Sequence, residues 1–146
     1  METKFMIRAA NVEDREDISR LLTQLGYPDT RLFMKENIER LLADPNEELM
    51  VYEAEGCVIA CLSLHYIPQL GMRGDIASIS YLVVDSSARS KGIGQELVES
   101  ASASARQKGC ASIQVHCHAR RIEAHTFYER QGFKEAPKYF SKRLDK

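Results

Sequence analysis

The stretch that most constrains the fold is Leu82-Val83-Val84-Asp85-Ser86-Ser87-Ala88-Arg89-Ser90-Lys91-Gly92-Ile93-Gly94. An apolar run of strand character enters a polar loop with the spacing Arg89-x-x-Gly92-x-Gly94. A helical pattern follows, with Ile93, Leu97, Val98, Ala101 and Ala105 on one side. Glycines allow turns closed to other residues and let a backbone approach a ligand. The first N–H groups of a helix have no internal acceptor, and the helix dipole favours an anion beside them. Arg89 and Lys91 add positive charge, so the segment has the makings of a diphosphate cradle. It matches neither Walker A nor the three-glycine dinucleotide fingerprint. Two glycines in a loop are also compatible with a plain tight turn.

The rest of the chain places this unit. Phe5–Ala10 reads as a first strand, and Asn11 caps the next helix with Asp14 three residues later. Ile18, Leu21, Leu22 and Leu25 repeat at helical spacing until Gly26 and Pro28. A second helix after Thr30 carries Met34, Ile38, Leu41 and Leu42. Leu49–Glu53, Val58–His65 and Asp75–Val84 read as strands, the first two joined at Glu55-Gly56. After the helix over Gly94–Lys108 come a strand at Ser112–His118, a helix at Ile122–Arg130 and a last strand at Tyr139–Leu144. The order β-α-α-β-β-β-α-β-α-β favours an α+β fold, a three-layer α/β/α sandwich, over a doubly wound sheet.

Length and composition bound the function. A chain of 146 residues, 44% hydrophobic and 28% charged, suits one globular domain over residues 1–146. The net charge of -1 argues against a basic nucleic-acid binder. That total hides a split: residues 1–84 hold 8 basic and 14 acidic side chains, residues 85–146 hold 12 and 7. No apolar run reaches membrane-spanning length and METKFMIRAA lacks a signal-peptide core, so no membrane association and a cytoplasmic location are expected. Cys57, Cys61, Cys110 and Cys117 form no Cys-x-x-Cys pair and read as reduced core fillers. His116-Cys117-His118 alternates across a strand and His65 has no partner at metal-ligand spacing, so no metal site is expected.

A second constellation is Ala124-His125-Thr126-Phe127-Tyr128-Glu129-Arg130-Gln131-Gly132-Phe133. Tyr128 is either a core aromatic or a phenol held as a proton donor. With the Arg-x-x-Gly-x-Gly loop, the Ala-x-x-Phe-Tyr-x-x-x-Gly-Phe segment resembles the GNAT superfamily of N-acetyltransferases over nearly the whole chain. Leu25-Gly26-Tyr27-Pro28, Leu82-Val83-Val84 and Arg121-x-x-Ala124-His125-x-Phe127-Tyr128 look like a subgroup that includes the aminoalkylphosphonate N-acetyltransferases.

The resemblance implies a mixed, mostly antiparallel sheet whose fourth and fifth strands splay apart around acetyl-CoA. Backbone groups of Leu82, Val83 and Val84 would take the pantetheine arm. N–H groups of Arg89, Ser90, Lys91, Gly92, Ile93 and Gly94, with Gln95, would take the diphosphate. An N–H near Leu82 or Val83 would polarise the thioester. A small-molecule primary amine would attack directly, and Tyr128 would protonate the thiolate. Relatives often carry Glu on the fourth strand as the base, but here Ser78 and Tyr81 stand around that place. Tyr81, His116, His118 and Glu53 remain candidates. Arg121 would meet a cofactor phosphate, an anionic substrate or only Glu123. The family's habit of pairing makes a homodimer an expectation. Acetylation of a protein or peptide, and a non-catalytic acetyl-CoA sensor, are the competing readings.

Overall fold

The computed structural model describes residues 4–116, 121–135 and 140–145. The chain divides into two compact units, Met1–His116 and Cys117–Lys146.

The first unit carries a five-stranded sheet in the order β1-β2-β3-β4-β5. Its strands are β1 (Phe5–Ala9), β2 (Glu47–Ala54), β3 (Cys57–Ile67), β4 (Ile76–Val84) and β5 (Ser112–Val115). The first four pair antiparallel, and β4 pairs with β5 in parallel. The sheet is therefore mixed and mostly antiparallel. Helices α1 (Arg15–Leu25) and α2 (Arg31–Leu42) cover one face, and α3 (Ile93–Gln107) covers the other.

Strand alternation sorts the core into two layers. Leu49, Val51, Cys61 and Val83 face the α1–α2 side, where they pack with Ile18, Leu21, Met34 and Ile38. Met50, Leu62, Leu64 and Ile79 are buried on the opposite face, and α3 buries Leu97, Val98, Ala101 and Ala105. The helical spacing in the sequence thus names the faces that pack.

Two local devices fix the entry to α1. Asn11 Oδ1 accepts from the Glu13 N–H at 2.8 Å, and Asp14 Oδ2 accepts from the Asn11 N–H at 2.8 Å, a reciprocal capping box. Arg8 then grips Asp14 with two hydrogen bonds of 2.9 Å and reaches Glu53 at 2.8 Å. Asp14 is buried, and the Arg8 guanidinium holds its carboxyl below the usual range. Glu53 is thereby taken up in a structural ion pair, which removes it from the candidate bases.

A third device fixes the end of β4. The Asp85 N–H bonds the Ile59 carbonyl at 2.8 Å. Its carboxylate accepts from the Ser87 N–H and hydroxyl at 3.0 and 2.8 Å, and pairs with Arg20 of α1. Gln24 of α1 accepts from the Ser86 N–H at 2.9 Å. Gly74, just before β4, serves a close approach: a Cβ there would lie 2.7 Å from the Gly109 carbonyl, so the start of β4 can meet the turn leading to β5.

The second unit contains α4 (Ile122–Arg130), ending at Gln131-Gly132. The expected last strand does not form over Phe140–Leu144. That segment has no ladder partner among the described residues, and Arg143 instead pairs with Asp145 at 2.9 and 3.0 Å. Tyr139 lies outside the described residues. The fifth strand is shorter than Ser112–His118, ending at Val115; Cys117 and His118 also lie outside the described residues. Cys61 and Cys110 are buried and half-buried, but Cys57 is exposed beside the Glu55-Gly56 turn and is not a core filler. Among the described residues no helix is long and apolar enough to cross a membrane.

Two outcomes follow from this packing. Leu62 is fully buried in the central strand, so Leu62→Ala should cost about 3 kcal/mol in urea unfolding. Ser87 first, and then Arg20, lower the Asp85 carboxyl to about 2. A carboxyl depressed on folding contributes stability that is present above its unfolded value and lost as the pH falls through its folded one. Asp85→Asn should therefore be less stable than the parent by about 0.5 to 1 kcal/mol at pH 7. The two urea midpoints should converge near pH 2; a constant gap from pH 7 to pH 2 would contradict the assignment.

Candidate active site

The site begins where β4 loses a partner. Among the described residues its parallel pairing with β5 runs from Ile76 opposite Ser112 to Ile79 opposite Val115. On the other side β4 stays paired with β3 to its end, with Leu82 opposite Leu62, Val83 opposite Cys61 and Val84 opposite Ala60. From Ser80 to Val84 the edge turned away from β3 has no ladder partner among the described residues. These are the splayed fourth and fifth strands. Val83 is buried, so what it offers a ligand is backbone. Such an edge can hydrogen-bond an extended chain as another strand would.

The loop after β4 ends at an uncapped helix. A short turn at Ser86–Ala88 leads to Ser90 and Gly92, both in the left-handed region at φ 66° and 81°. Gly92 is the N-cap of α3, where a side chain would be strained and a Cβ would meet only open space. The first helical bond runs from the Glu96 N–H to the Gly92 carbonyl at 3.1 Å. The N–H groups of Ile93, Gly94 and Gln95 precede it and have no side-chain cap. Ile93 is buried and seats the helix. Arg89, Ser90 and Lys91 are exposed, and Arg89 Nε donates to the Val84 carbonyl at 3.3 Å, closing the corner between strand and loop. The arrangement offers hydrogen-bond donors and positive charge to an anion beside an open strand edge.

Tyr81 sits beside that edge on the α1–α2 face, exposed, with its ring edge-on to Tyr27 at 5.3 Å. Burial, and then Tyr27, push the phenol up, so at neutral pH it is a donor. Cys61 is no nucleophile: burial pushes its thiol up to about 12. Within the second unit, Tyr128 is buried and its ring meets Phe127 and Phe133 edge-on at 5.2 and 5.6 Å. The Phe133 N–H returns to the Tyr128 carbonyl at 3.0 Å, so the turn at Gly132 folds Phe133 back onto the tyrosine. Arg121 opens α4, where its carbonyl accepts from the His125 N–H at 3.0 Å. His116 lies just past β5, and His118 lies outside the described residues.

The structure also assembles a group that the sequence reading passed over. His65 of β3 stands between Glu47 of β2, which meets Nδ1, and Ser80 of β4, which meets Nε2. No motif joins residues 47, 65 and 80. Glu47 lies opposite His65 in the β2–β3 register, and a β-bulge between Ser63 and Leu64 brings in Ser80.

Comparison with known proteins places this geometry. The model of the GNAT acetyltransferase family matches residues 13–133. The chain is 31% identical over 140 residues to the aminoalkylphosphonate N-acetyltransferase of Salmonella typhimurium, covering 94% of this chain and 90% of that one. Among solved structures, a transcriptional regulator from Bacillus halodurans is 25% identical with a TM-score of 0.88, covering 97% of this chain and 100% of that one. The aminoglycoside N-acetyltransferase AAC(6')-Iy, solved in complex with CoA, shares the fold at 18% identity and a TM-score of 0.85, covering 98% and 96%. The open β4 edge, the uncapped glycine loop and these matches agree: the chain belongs to the GNAT acetyltransferase family and is an N-acetyltransferase.

Proposed function

We propose that this chain transfers the acetyl group of acetyl-CoA to a primary amine of a small molecule, with residues 1–146 acting as one catalytic domain. The observation that carries the reading is the edge at Ser80–Val84, without a ladder partner among the described residues, running into the start of α3, which has no side-chain cap. A pantetheine arm carries amides that match such an edge. The diphosphate matches the N–H groups from Arg89 to Gln95, with Arg89 and Lys91 supplying charge. The relative that acts, by its name, on aminoalkylphosphonates supports a small amine carrying an anionic group. Arg121 is the residue we assign to that anion or to a cofactor phosphate. A homodimer in the reducing cytoplasm completes the reading.

The residues present account for the chemistry as positioning and electrostatics. Acetyl-CoA supplies the activated acyl group. A backbone N–H at Leu82 or Val83 stabilises the oxyanion that forms when the amine attacks the thioester carbon. The C–S bond then breaks, and Tyr128 gives its proton to the departing sulfur. A thiol near ~8.5 and a phenol near ~10 make this transfer undemanding. His118 is a second acid–base group in the same proposal, tested by His118→Asn. The acidic residues 1–84 suit a cationic amine and the basic residues 85–146 suit polyanionic CoA.

The test is thiol release from acetyl-CoA across aminoalkylphosphonates, polyamines, aminoglycosides and peptides, with acetyl-CoA binding measured separately. Small amines should turn over and peptides should not. Binding without release on any of them would leave a sensor instead of an enzyme. Tyr128→Phe should bind acetyl-CoA as the parent does while turnover falls at least about tenfold. Unchanged turnover would remove the acid role from Tyr128.

A further inference from the structure

We propose that Ser80, His65 and Glu47 form the relay that takes the proton from the substrate ammonium. This inference rests on the acetyltransferase reading and names the missing base within it.

The three residues come from three neighbouring strands and share the α1–α2 face of the sheet. Glu47 of β2 lies directly opposite His65 of β3. On β4 the ladder is irregular: Ser63 pairs with Tyr81, but Leu64 pairs with Ile79, leaving Ser80 as the extra residue. Leu64 and Ile79 are both buried on the α3 side. The bulge therefore turns Ser80 and Tyr81, consecutive residues, to the same face. In a regular ladder they would point to opposite faces, and only one could look toward α1. Both contacts bear this out: Ser80 Oγ meets the His65 ring and Tyr81 meets Tyr27 at the end of α1.

Direction follows from the chemistry of the partners. A carboxylate only accepts, so in the neutral ring Nδ1 carries the hydrogen toward Glu47. Nε2 is left to accept from the Ser80 hydroxyl. Exposure runs the same way: the Glu47 and His65 side chains are 20% and 27% exposed, and Ser80 is exposed. The relay thus opens at Ser80. That residue is the first on β4 past the last β5 pair, so it stands at the mouth of the splay, two residues before Leu82.

Ser80 Oγ accepts a proton from the R–NH3+ group as it passes its own to His65 Nε2. The imidazolium so formed faces the Glu47 carboxylate, which stabilises it. The neutral amine attacks the thioester carbon, a C–N bond forms, and the C–S bond breaks. The nitrogen sheds its second proton, the thiolate gains one, and His65 returns its proton to water. The net change is an amide, a thiol and one released proton. The titratable groups that the flanking strands turn to this face at the ring are Glu47 and Tyr81. On the same face the helices bury apolar residues, Leu21 and Ile38 among them, and Tyr27, just past α1, meets Tyr81.

The experiment uses the full chain with acetyl-CoA and either 2-aminoethylphosphonate or whichever panel amine turns over fastest. His65→Gln should lower kcat by about 100-fold or more at pH 7.5 with the KM for acetyl-CoA unchanged. Ser80→Ala and Glu47→Gln should lower it by about tenfold. All three deficits should shrink at pH 10, where far more of the amine is neutral in solution than at pH 7.5. Should His65→Gln fail to fold, the other two variants carry the same test. The histidine 15N spectrum of the protein alone gives a second readout: an Nδ1–H ring in the parent, lost in Glu47→Gln. Turnover by His65→Gln within about threefold of an active parent, or an Nε2–H ring in the parent, would overturn the relay alone. No turnover by the parent on any amine would sink the acetyltransferase reading itself. Exchange of labelled CoA into acetyl-CoA without amine, abolished in Ser80→Ala, would replace the relay with a covalent acetyl-serine.

Discussion

The structure depends on a mismatch in the pairing of β4. Along its full length the strand is held by β3, but among the described residues β5 accompanies it only as far as Ile79. A strand in the middle of a sheet normally spends all its backbone groups on its neighbours. Among the described residues half of that capacity is left over from Ser80 onward, beside the start of a helix whose first three N–H groups have no side-chain cap. Buried or half-buried backbone groups without partners are costly, so such an edge is retained where a ligand satisfies it. In the proposed function a pantetheine amide and a diphosphate supply the partners for this edge and loop.

Holding that edge open requires rigidity on the side that stays paired. The apolar layers supply most of it: Val83 and Cys61 against α1 and α2, Leu62 and Leu64 beneath α3. Burial of side chains of this size contributes about 1.5–3 kcal/mol each. Polar pairs do something different. The ion pair between Arg20 and Asp85 is partly exposed and adds little to stability. Together with Gln24 it ties the loop after β4 to α1, so the glycine turn at Ser90–Gly92 begins from a set position. Arg8 does likewise for the entry to α1 through Asp14.

Local signals were legible and long-range register was not. The apolar spacing of Ile93, Leu97, Val98, Ala101 and Ala105 marks the buried side of α3 because a helix repeats every 3.6 residues. Asn11 with Asp14 marks a cap because both bonds span three residues or fewer. The splay itself was expected from the family resemblance, and pairing that stops at Ile79 agrees with it. By contrast, Glu47, His65 and Ser80 meet only through two inter-strand registers and one bulge. A bulge adds a single residue to one strand and leaves no periodic trace, so Ser80 could not be told from Ser78. The segment Phe140–Leu144 shows the converse error. Its composition suits a strand, but a strand exists only where another offers it a ladder.

The bulge has a geometric consequence for the reaction. A strand advances about 3.3 Å per residue, so Ser80 and Leu82 are held roughly 7 Å apart on one backbone. On the assignments proposed above, that span suits an amine nitrogen, a thioester carbon and its oxygen in sequence between Ser80 as proton acceptor and Leu82 as oxyanion donor. Both groups ride on β4, which β3 braces and α1 and α3 clamp from either face. The proposed proton acceptor, oxyanion donor and cofactor track therefore keep their spacing through the sheet. The reacting groups can be aligned by the same interactions that hold the sheet together, which is how a chain of this length can position two substrates.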